Sequence, residues 1–364
     1  MKKILFFMWS FSLGGGAEKI LSTIANGLDK DKYKIDILEM EHFDKGFEKV
    51  PKGTKIRSFS SYKYPYLIRS LLWRSRIYFP NLVRKLLVKD KYDIEISFVT
   101  MNPPFKFSSR KDVLKIAWIH GSIEDLIDDE KKINSHRKQL SKADYIVAIS
   151  EKTKESIELV FPEFKDKIKL IYNGYKFEDI LNKAEEDVEI DIHDNSICSI
   201  GRIENLKGSD RVLEILKKLH KAGSKTHLYF IGTGELDDKL KAQSKKYGLE
   251  EFVHFLGYQK NPYKYLRHMK CLVSMSLKEG FPGVFVEAIS LGVPFVSTDV
   301  GGAKELSCNG KFGDIIKTDD EAVEKIKHRI DKRLDKSDCE EFLSKYTVDN
   351  QINEIEKLFE MKYE

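Results

Sequence analysis

Two carboxylates carry the sharpest chemical signal in this chain. Glu279 and Glu287 form a Glu-x7-Glu spacing in SLKEGFPGVFVEAISLGVPFVSTDVGG, where a Gly-Phe-Pro-Gly turn separates them and the second stands in an otherwise apolar segment. A buried carboxylate is costly unless something pairs with it. The spacing therefore asks either for solvent or for a ligand rich in hydroxyl groups. A helix predicted to start near Pro282 would aim its unpaired N–H groups at the same place, which suits a phosphate. Arg202 and Lys207, in SIGRIENLKGSDRVLEIL, sit on a strand-to-helix loop beside Gly208. One Arg and one Lys there suit the oxygens of a diphosphate; the plainer reading is two solvated cations. His120 closes the strand KIAWIHG, where it is either a structural histidine or a hydrogen-bonding group at a site.

Glycine turns follow other strands. Gly14, Gly15 and Gly16 in SLGGGAEK allow close backbone approach at a helix start, and Gly232 and Gly234 in FIGTGE leave room for a ring or a ribose. Neither pattern is specific alone. SLGGGAEK is not the G-x-G-x-x-G dinucleotide fingerprint, which weakens a nicotinamide reading.

The elements that must position these residues follow one pattern. Continuous apolar runs (KKILFFMW, YKIDILEM, YDIEISFV, KIAWIHG, DYIVAIS and KIKLIYNG) alternate with helix-like stretches such as 17–28 and 67–87. Strands of this kind belong to parallel sheets covered on both faces. The polar stretch KFEDILNKAEEDVEIDIHDN interrupts the pattern, which restarts with SICSIGR, THLYFIG, FVHFLGY, CLVSMS, PFVSTD and GDIIK. The expectation is an α/β protein of two Rossmann-like, doubly wound parallel-sheet domains facing a central cleft. The domains span 1–175 and 176–345, and a terminal helix over 346–364 crosses back onto the first. Ligands bind such sheets beyond the carboxyl ends of the strands, where the motifs cluster.

Composition bounds the function. The chain has 364 residues, 41% hydrophobic, and 63 basic residues against 58 acidic ones give a net charge of +5. That balance argues against a nucleic-acid binder. Cys198, Cys271, Cys308 and Cys339 form no C-x-x-C pair and read as reduced thiols of a cytoplasmic protein. The N-terminal MKKILFFMW reads as a first strand rather than a signal peptide, and no apolar run reaches the roughly 20 residues of a membrane span. Residues 62–92 hold Arg69, Arg74, Arg76, Arg84 and Lys85, interleaved with Trp73 and other apolar residues. Either a helix lying on an anionic membrane or a core helix with a solvated basic face has that pattern.

Taken together, GGGAE at 14–18, HG at 120–121, NG at 173–174, GR and LKG within 201–208, GTGE at 232–235, and EGFPGVFVEA with GGAKE within 279–305 resemble the retaining glycosyltransferases of family 4. That resemblance implies the GT-B fold, with the amino-terminal domain holding the acceptor and the carboxy-terminal domain a nucleoside diphosphate sugar. It gives Arg202 and Lys207 the diphosphate, Glu287 the ribose hydroxyls, and Glu279 and His120 the hydroxyls of the donor sugar. Gly15 and Gly16, Phe281, Gly283 and Val284 would approach the donor through backbone groups, and Arg69, Trp73, Arg74, Arg76, Arg84 and Lys85 would contact membrane.

The implied activity is transfer of a hexose or N-acetylhexosamine, with a UDP-sugar as the expected donor. The acceptor would be a lipid-linked sugar or polysaccharide of a bacterial surface glycan (capsule, O-antigen or cell wall). No cofactor, metal or nucleic acid is expected, and the enzyme would lie peripherally at the inner face of the cell membrane. Two rivals stay open, an inactive transferase-like partner subunit and a UDP-N-acetylglucosamine 2-epimerase of the same architecture.

Overall fold

The computed structural model describes residues 1–46, 48–98, 106–126 and 129–361, the side chains of 125 and 126 excepted. The chain divides into two compact units, Met1–Tyr175 with Lys345–Glu364, and Lys176–Ser344.

The first unit is built on seven strands: β1 (Lys2–Met8), β2 (Tyr33–His42), β3 (Lys55–Ser61), β4 (Ile94–Phe98), β5 (Leu114–Ile119), β6 (Tyr145–Ala148) and β7 (Ile168–Leu170). They lie in the order β3-β2-β1-β4-β5-β6-β7, every pair parallel. Central strands such as β1 and β4 are buried along nearly their whole length, as a parallel sheet with helices on both faces requires. β3 went unread in the sequence because KIRSFSS is polar and starts exposed, as an edge strand can. Val99, the last residue of the expected YDIEISFV strand, lies outside the described residues.

The second unit carries β8 (Ser196–Ile200), β9 (His227–Ile231), β10 (Val253–Phe255), β11 (Cys271–Ser274), β12 (Phe295–Thr298) and β13 (Gly313–Ile316). Their order is β10-β9-β8-β11-β12-β13, again wholly parallel. The direction of winding therefore reverses between β8 and β11. A doubly wound sheet opens a crevice at such a switch point. The helix Ser209–Lys221 covers one face, burying Val212, Leu213, Ile215, Leu216 and Leu219 against Leu228, Phe230 and Val273.

The expected single helix over 67–87 is two helices, Tyr66–Tyr78 and Pro80–Leu87. Pro80 has no N–H for the preceding turn, so it ends one helix and takes the first position of the next. At the other end of the chain, the helix Val348–Glu360 packs on Gly16–Gly27, with the Tyr33 and Phe359 rings 5.6 Å apart. Residues 362–364 of the expected terminal helix lie outside the described residues. All four cysteines are free thiols. No helix among the described residues is long and apolar enough to cross a membrane.

Candidate functional site

The switch point of the second sheet opens into a recess of about 170 Å³ at the carboxyl ends of β8 and β11. Arg202, Lys207, Glu279, Phe281, Gly283 and Val284, scattered over 83 positions of sequence (202 to 284), line it together. Ser199, Ser209, Ser274 and Ser276 complete a polar wall that the sequence reading missed.

Local backbone chemistry explains the convergence. β8 runs into Gly201 and Arg202, and the chain then turns through Asn205–Lys207 before the helix Ser209–Lys221 begins. Gly208 makes that entry in a left-handed conformation (φ +64°), and a Cβ there would overlap the Met275 carbonyl. Only glycine lets the Lys207 loop seat against the end of β11. On the other side, the chain leaves β11 and climbs to the helix Gly283–Ser290, which starts behind Pro282. Neither helix start carries a side-chain cap, so the positive ends of two backbone dipoles face one recess.

One ion pair dominates the interior. The Lys207 Nζ lies 2.6 Å from Glu279 Oε1, and Ser276 Oγ donates to the same oxygen at 2.8 Å. Sequence reasoning gave these two residues separate ligands, whereas the structure pairs them with each other. Arg202 is mostly exposed and reaches Glu204 at 3.1 Å. Its guanidinium is therefore accessible from solvent at the rim of the recess.

The remaining candidates lie elsewhere. Glu287 is on the Gly283–Ser290 helix beyond the recess lining, where the Tyr263 hydroxyl donates to its Oε1 at 2.9 Å. Burial first, then the nearby carboxylate, pushes the Tyr263 hydroxyl well above its ordinary range, which keeps it a donor. Gly232 and Gly234 do not leave space for a ring, contrary to expectation. A Cβ on Gly232 would overlap the Gly201 carbonyl, and one on Gly234 the Ile203 carbonyl. Their smallness lets two loops pack, with Ile203 N–H donating to Thr233 O at 3.1 Å.

His120 and the glycine turn belong to the first unit. The His120 Nε2 is buried and has no hydrogen-bond partner among the described residues, while the ring stands edge-on to Phe98 at 4.6 Å. Burial pushes its pKa down to about 3, so the ring is neutral. Gly15 and Gly16 open the helix Gly16–Gly27. The loop before them is pinned by Glu39, wholly buried on β2, which accepts from Phe11 N–H at 2.7 Å and Ser12 N–H at 3.1 Å. Nothing in the motif pattern pointed to Glu39, because its partners lie 28 and 27 residues away.

The basic segment divides into two sets. Arg69 pairs with buried Glu41, and Arg84 with buried Glu95. Arg76 lies half-buried over the Trp73 ring, which itself packs on the core and on Trp9. These four hold the fold together, so only Arg74 and Lys85 of the expected membrane-contact residues are exposed. The exposed face also carries Leu67, Leu71, Ile77, Tyr78, Phe79 and Leu86.

Two wholly parallel, doubly wound units are the GT-B architecture. The chain superposes on an Anabaena protein solved with UDP and glucose (TM-score 0.71, 17% identity, 99% of this chain and 100% of that one), a likeness that speaks for the fold. Residues 14–179 match Glycosyltransferase Family 4 and residues 182–348 match Glycosyl transferases group 1, and the chain belongs to glycosyltransferase family 4. Relatives include a glycosyltransferase of Methanocaldococcus jannaschii, of no assigned substrate, at 29% identity over 72% of this chain and 66% of that one. Another is the N-acetylgalactosamine-N,N'-diacetylbacillosaminyl-diphospho-undecaprenol 4-alpha-N-acetylgalactosaminyltransferase of Campylobacter jejuni, at 33% identity over 50% of this chain. These two alignments span about two thirds and about half of the relatives' own lengths.

Proposed function

We propose that this protein is a retaining glycosyltransferase that moves a hexose or N-acetylhexosamine from a UDP-sugar to a lipid-linked or polysaccharide acceptor in surface glycan assembly. The observation that carries the reading is the recess at the β8–β11 switch point, where two cations, a carboxylate and two uncapped helix starts meet. Such a set matches a sugar diphosphate part by part. Lys207, Arg202 and the helix starts would hold the diphosphate, whose negative charge grows as the glycosidic bond breaks. Glu279 would trade Lys207 for hydroxyls of the sugar. Glu287, kept in place by Tyr263, would accept from the ribose hydroxyls. A histidine held neutral by burial suits the sugar hydrogen bond that the family resemblance gives to His120.

In this reading the leaving phosphate assists deprotonation of the acceptor on the same face of the sugar, which retains its configuration. Charge neutralisation falls to Lys207, Arg202 and the helix dipoles, and no resident metal is required. UDP is favoured because the Anabaena neighbour was solved with it. A lipid-linked acceptor is favoured by the diphospho-undecaprenol substrate in the Campylobacter relative's name. The exposed Leu67, Leu71, Ile77 and Phe79 beside Arg74 and Lys85 would bring the enzyme to the anionic membrane surface that carries such a lipid.

The test is a melting panel of UDP, GDP, ADP and CDP with their common sugars, followed by transfer assays on polyprenyl-diphosphate-linked acceptors. Ligand at 100 times its Kd adds about 2.7 kcal/mol to native stability. A selective upward shift with uridine nucleotides is expected. Selectivity for another base would overturn the donor assignment, and no shift with any of them would favour the inactive-partner alternative.

A further inference from the structure

Three histidines outside the recess come together at the opposite end of the second sheet. His227 is the first residue of β9 and pairs in register with Ser196, the first residue of β8. His254 lies in β10 opposite Tyr229. Side chains two apart on a strand share a face, so His227, Tyr229 and His254 all project from one side of the sheet. The turn before β8 brings His193 over them. Its N–H donates to the Tyr229 hydroxyl at 3.2 Å, and its carbonyl accepts from the Ser196 hydroxyl. The His193 and His227 rings stack at 3.6 Å, and His227 Nδ1 stands 3.0 Å from His254 Nε2.

One ring nitrogen from each histidine lies within 4.8 Å of the other two. Metal–nitrogen bonds of about 2.0–2.1 Å at tetrahedral angles place ligand atoms about 3.3 Å apart. The His227–His254 pair is already near that separation. His193 is on an exposed turn, and its ring, now stacked on His227 with the planes 13° apart, would leave the stack to turn a nitrogen toward the other two. At present the two facing nitrogens of His227 and His254 must share one hydrogen, and a cation would take its place.

We propose that His193, His227 and His254 form a binding site for a transition-metal ion of the zinc class, with water in the fourth position. Imidazole is a preferred ligand for such ions. This site would not serve the transfer chemistry. Along β9, His227 and the recess-lining Phe230 are three residues apart, or about 10 Å of strand. Its effect would be to tie the turn before β8 to β9 and to β10, a three-residue strand at the sheet edge.

The test uses the full chain without a polyhistidine tag, stripped by chelator and titrated with zinc chloride by calorimetry. Cobalt(II) in place of zinc reports tetrahedral nitrogen ligation by its visible absorption. One equivalent should bind, with a rise in Tm reversed by EDTA. His227→Gln and His254→Gln should each weaken zinc binding at least 100-fold. His193→Gln, on an exposed turn where it does not threaten folding, should weaken it at least tenfold and change the cobalt spectrum. Absence of stoichiometric binding by the native chain would overturn the proposal, as would unchanged binding by His193→Gln together with His254→Gln. In either case the three rings are only an aromatic stack.

Discussion

Lys207→Met tests the donor assignment where the structure allows magnitudes to be worked out. The methionine keeps most of the stem and removes the ammonium that meets Glu279 at 2.6 Å. In the unliganded protein the loss is small. Both partners are partly hydrated, Lys207 being 27% and Glu279 17% exposed, and Glu279 keeps the Ser276 hydroxyl. A pair of that kind is worth about 1 kcal/mol or less, which shifts the Tm of a unit this size by about 2–4 °C. The loss during transfer is larger. A hydrogen bond to a charged group contributes about 1.5–3 kcal/mol, so the Kd for UDP should rise about 10- to 100-fold. Removing a donor aimed at developing charge lowers kcat by about 10² to 10³. Calorimetry with UDP, steady-state turnover and a thermal melt give the three quantities. A well-folded variant whose UDP affinity and turnover stay within threefold of the native protein would refute placement of the diphosphate in this recess.

Other perturbations separate the roles of neighbouring groups. Glu279→Gln releases Lys207, so UDP should bind as tightly as before or a few-fold tighter while turnover falls at least 100-fold; weaker UDP binding in calorimetry would mean that the ion pair only builds the loop. His120 titrates at about 3 when folded, against an ordinary value near 6.5. Between those values the unfolded chain holds the extra proton, so this contribution to stability is intact above about pH 6.5 and declines in acid. The decline is about 1.4 kcal/mol by about pH 5.5, and His120→Gln should lose that much less stability over the interval when followed by urea unfolding. Arg74→Glu with Lys85→Glu should weaken sedimentation with anionic vesicles about 30-fold or more, at about 1 kcal/mol per cation. Arg84→Ala instead leaves the buried Glu95 carboxylate without its cation and should destabilise the first unit by about 3–5 kcal/mol, seen as a lowered Tm.

Most strands of both sheets and the recess residues were legible because each rests on local pattern, whereas the order of the strands within each sheet comes from the structure alone. Apolar runs of strand length mark the sheet, and glycine or proline at their carboxyl ends marks the loops. What the sequence concealed depends on partners far along the chain. The Lys207–Glu279 pair spans 72 positions, and the tie from Glu39 to Phe11 spans 28. Gly232 and Gly234 read as space for a ligand, because a one-dimensional pattern does not say whether the gap is filled by a neighbouring loop. Arg84 read as a membrane cation for a similar reason, since its buried partner Glu95 lies on β4. β3 was missed because an edge strand needs apolar residues on only part of its length.

The route of the chain also dictates an order of events during synthesis. The second unit is one uninterrupted stretch, whereas the first needs both 1–175 and the final segment from 345 onward. Ribosomes deliver residues in sequence, so the second unit can reach its native state while the first still lacks Ile355, Leu358 and Phe359. Until those arrive, Tyr33 and the Gly27 end of the first helix face water instead of their final neighbours. The first strands and helix of that unit are thus among the last parts to be secured, and a chain truncated after Ser344 would present a finished second unit beside a first unit whose apolar surface still lacks its cover.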